Sequence, residues 1–422
     1  MVDAWSANDP TSSRSIDSVE QLRRIATKRG SVLDPDTTLD SRALLAEATS
    51  RTGGLTDLGD GPFLEPLDRL VDSANAEARL NEIGHLIASE RILGHTVNRL
   101  NYVNDRKRFP EIERQRIERP VFIIGLPRTG TTILHDILAS DPANRAPLTW
   151  EVQYPSPPPR TETYDSDPRI AECQAMFPPV DDDDPGFAAI HPMGAELAQE
   201  CIVFWGEAMC TPLFHNQFRV PAYQDWVDHE ADYGAVYDLH QRQLQHLQSQ
   251  HHADRWVLKS GGHMWGLEHL LATYPDAQIV FTHRDPVESA TSFASLTTFV
   301  RSMGSDHIDQ VEIASDWTPR LVHAVSHALE VRDTGEYPDA TFHDVRFDDF
   351  VTDQFAVVEE IYDMFDIAMT ERAEASMRKF IDDNPKGKHG QHDYSPEEYG
   401  VDPTAVRTEF SSYIERFDLL PK

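Results

Sequence analysis

The stretch from Pro120 to Leu138 constrains the fold of this chain more than any other. Val121-Phe122-Ile123-Ile124 is a short continuous apolar run, the pattern of a strand buried on both faces of a parallel sheet. Gly125-Leu126-Pro127-Arg128-Thr129-Gly130 follows as a turn, and Thr131 to Leu138 continues at helical period. Strand, glycine loop and helix make the first half of a βαβ unit. The loop spacing lets backbone N–H groups wrap a phosphate, and the helix it opens offers its first N–H groups and its dipole to an anion. Thr131 and Thr132 add hydroxyl donors at the same point. A plain glycine-rich turn is the alternative, and it leaves the Thr pair without a purpose.

A nucleoside-triphosphate loop of similar outline needs Lys directly after its last Gly. Thr131 stands there, and the loop's cation is Arg128, two residues before Gly130. The strand that could end in a metal-holding Asp, Ile279-Val280-Phe281, runs instead into Thr282-His283-Arg284. An ATPase relies on Mg²⁺ to neutralise its phosphates, and these residues suit an anion held by Arg, Lys and backbone donors. A second anchor follows in His283-Arg284-Asp285-Pro286-Val287-Glu288-Ser289-Ala290-Thr291-Ser292. Arg284 at a strand's carboxyl end and Ser292 beyond the turn can reach one anion, Arg through its fork and Ser through its hydroxyl. The simpler reading is a surface Arg paired with Asp285.

Together these motifs resemble the sulfotransferase family that uses 3′-phosphoadenosine 5′-phosphosulfate (PAPS), in its bacterial form. Pro127-Arg128-Thr129-Gly130-Thr131-Thr132 resembles the phosphosulfate loop, with Arg128 for the usual Lys as in the bacterial and tyrosyl branches, and Arg284 with Ser292 resembles the 3′-phosphate motif. Trp256-Val257-Leu258-Lys259-Ser260, then His263 and Tyr274-Pro275-Asp276-Ala277, resembles the strand and helix between them, with Gly261-Gly262 where bacterial members more often carry Pro. Asn384-Pro385-Lys386-Gly387-Lys388-His389-Gly390 is loosely similar to the basic C-terminal loop that closes the nucleotide site in cytosolic members.

The resemblance covers residues 119–400 or so. It implies a P-loop-like α/β fold, a parallel sheet with helices on both faces and the ligand at the carboxyl ends of its strands. It also implies transfer of a sulfuryl group from PAPS to a hydroxyl of a small acceptor, without a metal. Arg128, Thr129, Gly130, Thr131 and Thr132 would hold the 5′-phosphosulfate. Arg284 and Ser292, with Lys386, Gly387 and Lys388, would hold the 3′-phosphate. Lys259 resembles the Lys that meets charge growing on the bridging oxygen, and its plainer role is a strand-end salt bridge. The base is Glu151 or His263. Glu151 comes first, because Arg128 and the bacterial-type strand place the chain nearer the branches that use Glu; His263 has the better unperturbed pKa. Trp150, Phe204, Trp205, Phe214, Phe218 and Phe293 could line an acceptor pocket or simply fill the core. Two other readings stay open: a catalytically silent PAP-binding or scaffold protein (PAP being the desulfonated product), and a P-loop NTPase or kinase.

Outside that region, residues 1–117 read as a helical N-terminal extension and 118–422 as the α/β domain. Ser18, Val19, Leu22 and Ile25 share one face, Leu39 to Ala48 makes a second helix and Ala74 to Asn101 a long third. This block would pack on the core or support a homo-oligomer. Residues 154–187, with their Pro-rich and acidic runs, read as an irregular surface excursion. Charge narrows the partners: 38 Lys and Arg against 71 Asp and Glu give a net charge of −33. Such a surface lacks the basic footprint that nucleic acid or anionic lipid requires, and it also fits a saline habitat. Cys173, Cys201 and Cys210 read as reduced thiols. With no signal-peptide core and no stretch near the ~20 apolar residues of a membrane span, the expected location is cytoplasmic.

Overall fold

The computed structural model describes residues 38–177, 194–338, 341–385 and 395–420. Within them five strands form one parallel sheet: β1 Val121–Gly125, β2 Asn144–Arg145, β3 Arg255–Lys259, β4 Gln278–His283 and β5 Phe342–Arg346, in the order β2-β3-β1-β4-β5. β1 is central, with Ile123 opposite Lys259 on one side and Val280 on the other. Its neighbours come from later in the chain on both sides, so the loops leaving β1, β3 and β4 converge at one sheet end, where ligands of such folds gather.

The period of two in a strand sends alternate residues to opposite faces. Val121, Ile123, Val257 and Val280 pack with Leu134, Ile137 and Leu138 of the helix Thr131–Ala139 and with Val358 and Ile361. Phe122, Ile124, Leu258, Ile279 and Phe281 face a larger core that includes Tyr237, Leu270 and Tyr274. Helices therefore cover both faces, and the continuous apolar run of β1 follows from its two-sided burial.

The larger core also takes in Leu44, Leu67, Leu93 and Leu100 from the helices Ser41–Arg51, Leu64–Glu77 and Glu82–Arg108. The expected helix from Ala74 to Asn101 is two helices. Arg79 has φ of +49°, and the Asn81 side chain accepts from Gly84 N at 2.9 Å as an N-cap. Apolar periodicity runs across this joint and conceals it. The excursion also holds more order than expected: Pro168–Gln174 is a helix with Pro168 at its first position and Asp167 as its cap. Proline is compatible with that position because no intrahelical N–H bond is lost there. The two-residue β2 was absent from the sequence reading. Ser18, Val19, Leu22 and Ile25 lie outside the described residues. No described helix is long and apolar enough to cross a membrane.

Candidate functional site

The loop after β1 folds as it does because two glycines permit it. Gly125 has φ of +146°, and a Cβ there would stand 2.6 Å from Thr282 O. Gly130 has φ of +88° at the N-cap of the helix Thr131–Ala139. With no side chain at the cap, the first-turn N–H groups face the mouth of the loop. Arg128 is exposed at the tip, itself in the left-handed region with φ of +68°. Thr129 points inward instead. Its hydroxyl lies 2.8 Å from Leu126 O and 2.6 Å from Thr282 Oγ1, so it braces the loop against β4. Thr131 is buried and Thr132 half-buried at the start of the helix.

Lys259 closes the other side of the mouth from the end of β3. Its Nζ donates to Thr132 Oγ1 at 3.3 Å and pairs with Glu200 Oε1 at 2.5 Å. Lys259 is 3% exposed and Glu200 26%. One helical turn below Thr132, burial pushes the Asp136 carboxyl up to about 6, with Lys259 pulling the other way. Glu200 escaped the sequence reading. It stands far along the chain, and the pairing of residues 195–199 with 147–150 delivers it: Trp150 N bonds Ala195 O, Thr149 N bonds Leu197 O and Gln199 N bonds Pro147 O, at 2.8–2.9 Å.

Arg284 lies on the opposite flank. Its Nη1 donates to Arg128 O at 3.0 Å, its guanidinium sits 4.1 Å from the Phe347 ring centroid, and it pairs with Glu288. The two sequence motifs are thus joined by a hydrogen bond. Ser292 is buried on the helix Pro286–Ser302, whose cap Asp285 accepts from Val287 N and from Arg407 Nη2. Ser289, three residues before Ser292 on the same helix, is fully buried with an Oγ that makes no hydrogen bond among the described residues. Lys386, Gly387 and Lys388 lie outside the described residues.

Neither expected base reaches this mouth. Glu151 is 0% exposed, with Oε1 2.5 Å from Arg145 Nη2 and Oε2 accepting from Leu148 N at 2.9 Å. Both oxygens are committed to holding a turn. His263 is equally buried, with Nδ1 2.7 Å from the Tyr237 hydroxyl and its ring against Phe122 and Trp205. Burial, with His240 adding, holds its pKa well below the usual imidazole value. The extra glycines of Gly261-Gly262 belong to a tight 3₁₀ turn, Gly261–Gly266, that takes the ring into the core. The aromatic set is also core: Trp150, Phe204, Trp205, Phe214 and Phe218 are buried, and Phe293 packs on Trp317. A cavity of about 200 Å³ beside Arg69, Arg99 and Trp226 borders none of the loop residues.

Among the described residues no group of three His, Cys, Asp or Glu could hold a metal ion. A model of the sulfotransferase family matches residues 120–371. The chain is similar to an omega-hydroxy-beta-dihydromenaquinone-9 sulfotransferase of Mycobacterium bovis, 23% identical over 287 residues, covering 67% of this chain and 71% of that one. Among solved structures it is similar to a sulfotransferase from Mycobacterium avium (27% identity, TM-score 0.83, 92% of this chain and 99% of that one). Another, from Mycobacterium tuberculosis H37Rv, has 30% identity and a TM-score of 0.78, over 89% of this chain and 99% of that one.

Proposed function

The chain belongs to the sulfotransferase family, and on that premise we propose that it takes a sulfuryl group from PAPS and passes it to a hydroxyl of a small acceptor. The observation that carries this reading is the 3.0 Å bond from Arg284 to the carbonyl of Arg128. That contact supports reading the glycine loop and the Arg284 segment as two parts of one donor site. Arg128, Thr131, Thr132 and the first-turn N–H groups hold the 5′ end; Arg284 and Ser292 hold the 3′-phosphate. Thr129 supports the loop from behind. Lys259 stands where charge grows on the oxygen that PAP carries away, the place where a fixed cation favours the transition state over the ground state.

Residues 118–422 would carry this chemistry, with 1–117 as an N-terminal extension whose described helices, from Ser41 to Arg108, pack on it, and with Lys386 and Lys388 as further candidates for the 3′-phosphate. An alcohol on an apolar chain is one acceptor to try first, because one relative is named for an omega-hydroxyl of that kind.

Calorimetric titration with PAP tests the donor site. PAP should bind wild-type protein, in excess EDTA as well as in Mg²⁺, because the cations are supplied by side chains. Arg284→Ala should weaken binding by about 1.5–3 kcal/mol, the worth of a hydrogen bond to a charged group. Unchanged PAP affinity in the folded variant, or binding only of ATP with Mg²⁺, would remove the reading.

A further inference from the structure

We infer that Glu200 is the base that takes the proton from the acceptor hydroxyl, an assignment that rests on the proposed transfer from PAPS. Three observations carry it. Its carboxylate is 2.5 Å from Lys259 Nζ, which in turn reaches the Thr132 hydroxyl at 3.3 Å. Glu200 therefore stands at the phosphosulfate end of the site, one side chain from the loop helix. Its side chain is also 26% exposed, whereas Glu151 and His263 are sealed at 0%. A base must meet an acceptor that arrives from outside. Finally, Glu200 is held by backbone rather than left on a flexible tip. Gln199 N bonds Pro147 O at 2.8 Å, Glu200 N bonds Gln199 Oε1 at 2.9 Å, and Glu200 then opens the short helix Cys201–Phe204. Position of this kind supplies much of what a general base contributes.

Titratable groups surround it among the described residues. Lys259 comes from β3, Cys201 follows in the chain, and His135 is near enough to feel both Lys259 and Glu200. Asp136 is the competing carboxylate. It lies a helical turn past Thr132, further from the mouth, and its main environment is burial.

In the transfer, the acceptor oxygen bonds to sulfur as the bond from sulfur to the bridging phosphate oxygen breaks. The electron pair of the broken bond stays on that oxygen, facing Lys259, and PAP leaves. The acceptor's proton passes to the Glu200 carboxylate and is later lost to water. Glu200 and Lys259 form an ion pair before reaction, and the step separates their duties. One receives a proton on the acceptor side, and the other meets negative charge on the donor side.

The test uses full-length protein, radiolabelled PAPS, and 2-naphthol, 1-octanol and water as acceptors, with PAP affinity measured in parallel. Glu200→Gln should cut turnover roughly 10²–10⁴-fold with PAP affinity within about threefold of wild type. The acid limb of the pH–rate profile should vanish with it, because only an ionised carboxylate accepts the proton. Glu200→Asp should keep that limb at a reduced rate. Turnover of Glu200→Gln near the wild-type level would overturn the inference. So would a lower rate with the acid limb intact, which would make Glu200 a positioning residue for Lys259. Failure of wild type to bind PAP would instead defeat the donor assignment, and the base would fall with it. Binding without turnover of any acceptor would defeat transfer and base together.

Discussion

Both carboxylate oxygens of Glu151 are engaged in the interior. Arg145 holds Glu151 Oε1 through Nη2, donates from Nη1 to Leu247 O and His251 O, and lies 4.5 Å over the Trp256 ring. Removing one member of a buried pair leaves the other charged and unsatisfied, at a cost of about 3–5 kcal/mol. Glu151→Gln should therefore lower unfolding free energy by an amount near that range, measured by denaturant titration. The folded fraction should still bind PAP. Its activity loss should be smaller than that of Glu200→Gln, because Glu151 acts by fixing the turn at 148–151 from which residues 195–199 hang. A Glu151→Gln protein as stable as wild type would contradict this role. Residue type and chain distance could not separate the two glutamates. Burial and partners do.

At the scale of elements, the phosphate loop depends on a backbone shape that only some residues accept. Gly130 combines a φ of +88° with close neighbours, since a Cβ there would come within 3.2 Å of Phe350 and 3.3 Å of Phe347. A side chain in the left-handed region costs about 1–2 kcal/mol before any contact is counted, and the crowding adds to it. Gly130→Ala should lower the melting temperature and also raise the Kd for PAP, as the helix N-terminus is pushed off its aim. Thermal melts with and without PAP would show both effects. A variant with wild-type affinity would mean that the loop does not depend on this glycine. The loop, its helix and β1 were legible in the sequence because their signals are local: an apolar run, two glycines and a helical period. β2 was not legible, since two residues carry no pattern, and the joint at Asn81 was masked by periodicity continuing through it.

At the scale of the whole molecule, Arg99 ties the N-terminal helices to the α/β region. Arg99, on the helix Glu82–Arg108, donates to Leu58 O, Asp60 O and Glu207 O at 2.6–3.2 Å. Glu207 itself is fully buried and accepts from Gln243 Nε2 at 2.9 Å. Burial raises its carboxyl from 4.5 to about 7, against the opposing pull of Gln243, Arg99 and Asn98. A folded state that keeps the proton longer than the unfolded state loses stability as pH rises between those two values. Glu207→Gln removes that loss. The variant should gain on wild type from pH 4.5 to about 7, by up to roughly 3 kcal/mol, read from denaturant unfolding at several pH values. An unchanged difference across that window would mean that the Glu207 carboxyl ionises alike in the folded and unfolded states.

The sequence by itself determined the parallel sheet around β1, the glycine loop that opens the next helix and the strand end that carries Arg284, because each is written in neighbouring residues whose chemistry is local. Thr131, in the place of the Walker Lys, also counted against a nucleoside-triphosphate loop. Tertiary structure alone decided which polar groups face the mouth. Thr129 turns in to Thr282, His263 sinks beside Tyr237, Glu151 closes on Arg145, and Glu200 arrives on Lys259 from a distant turn. Pairing between segments far apart in the chain sets burial, and burial decides whether a carboxylate or an imidazole can meet a substrate at all.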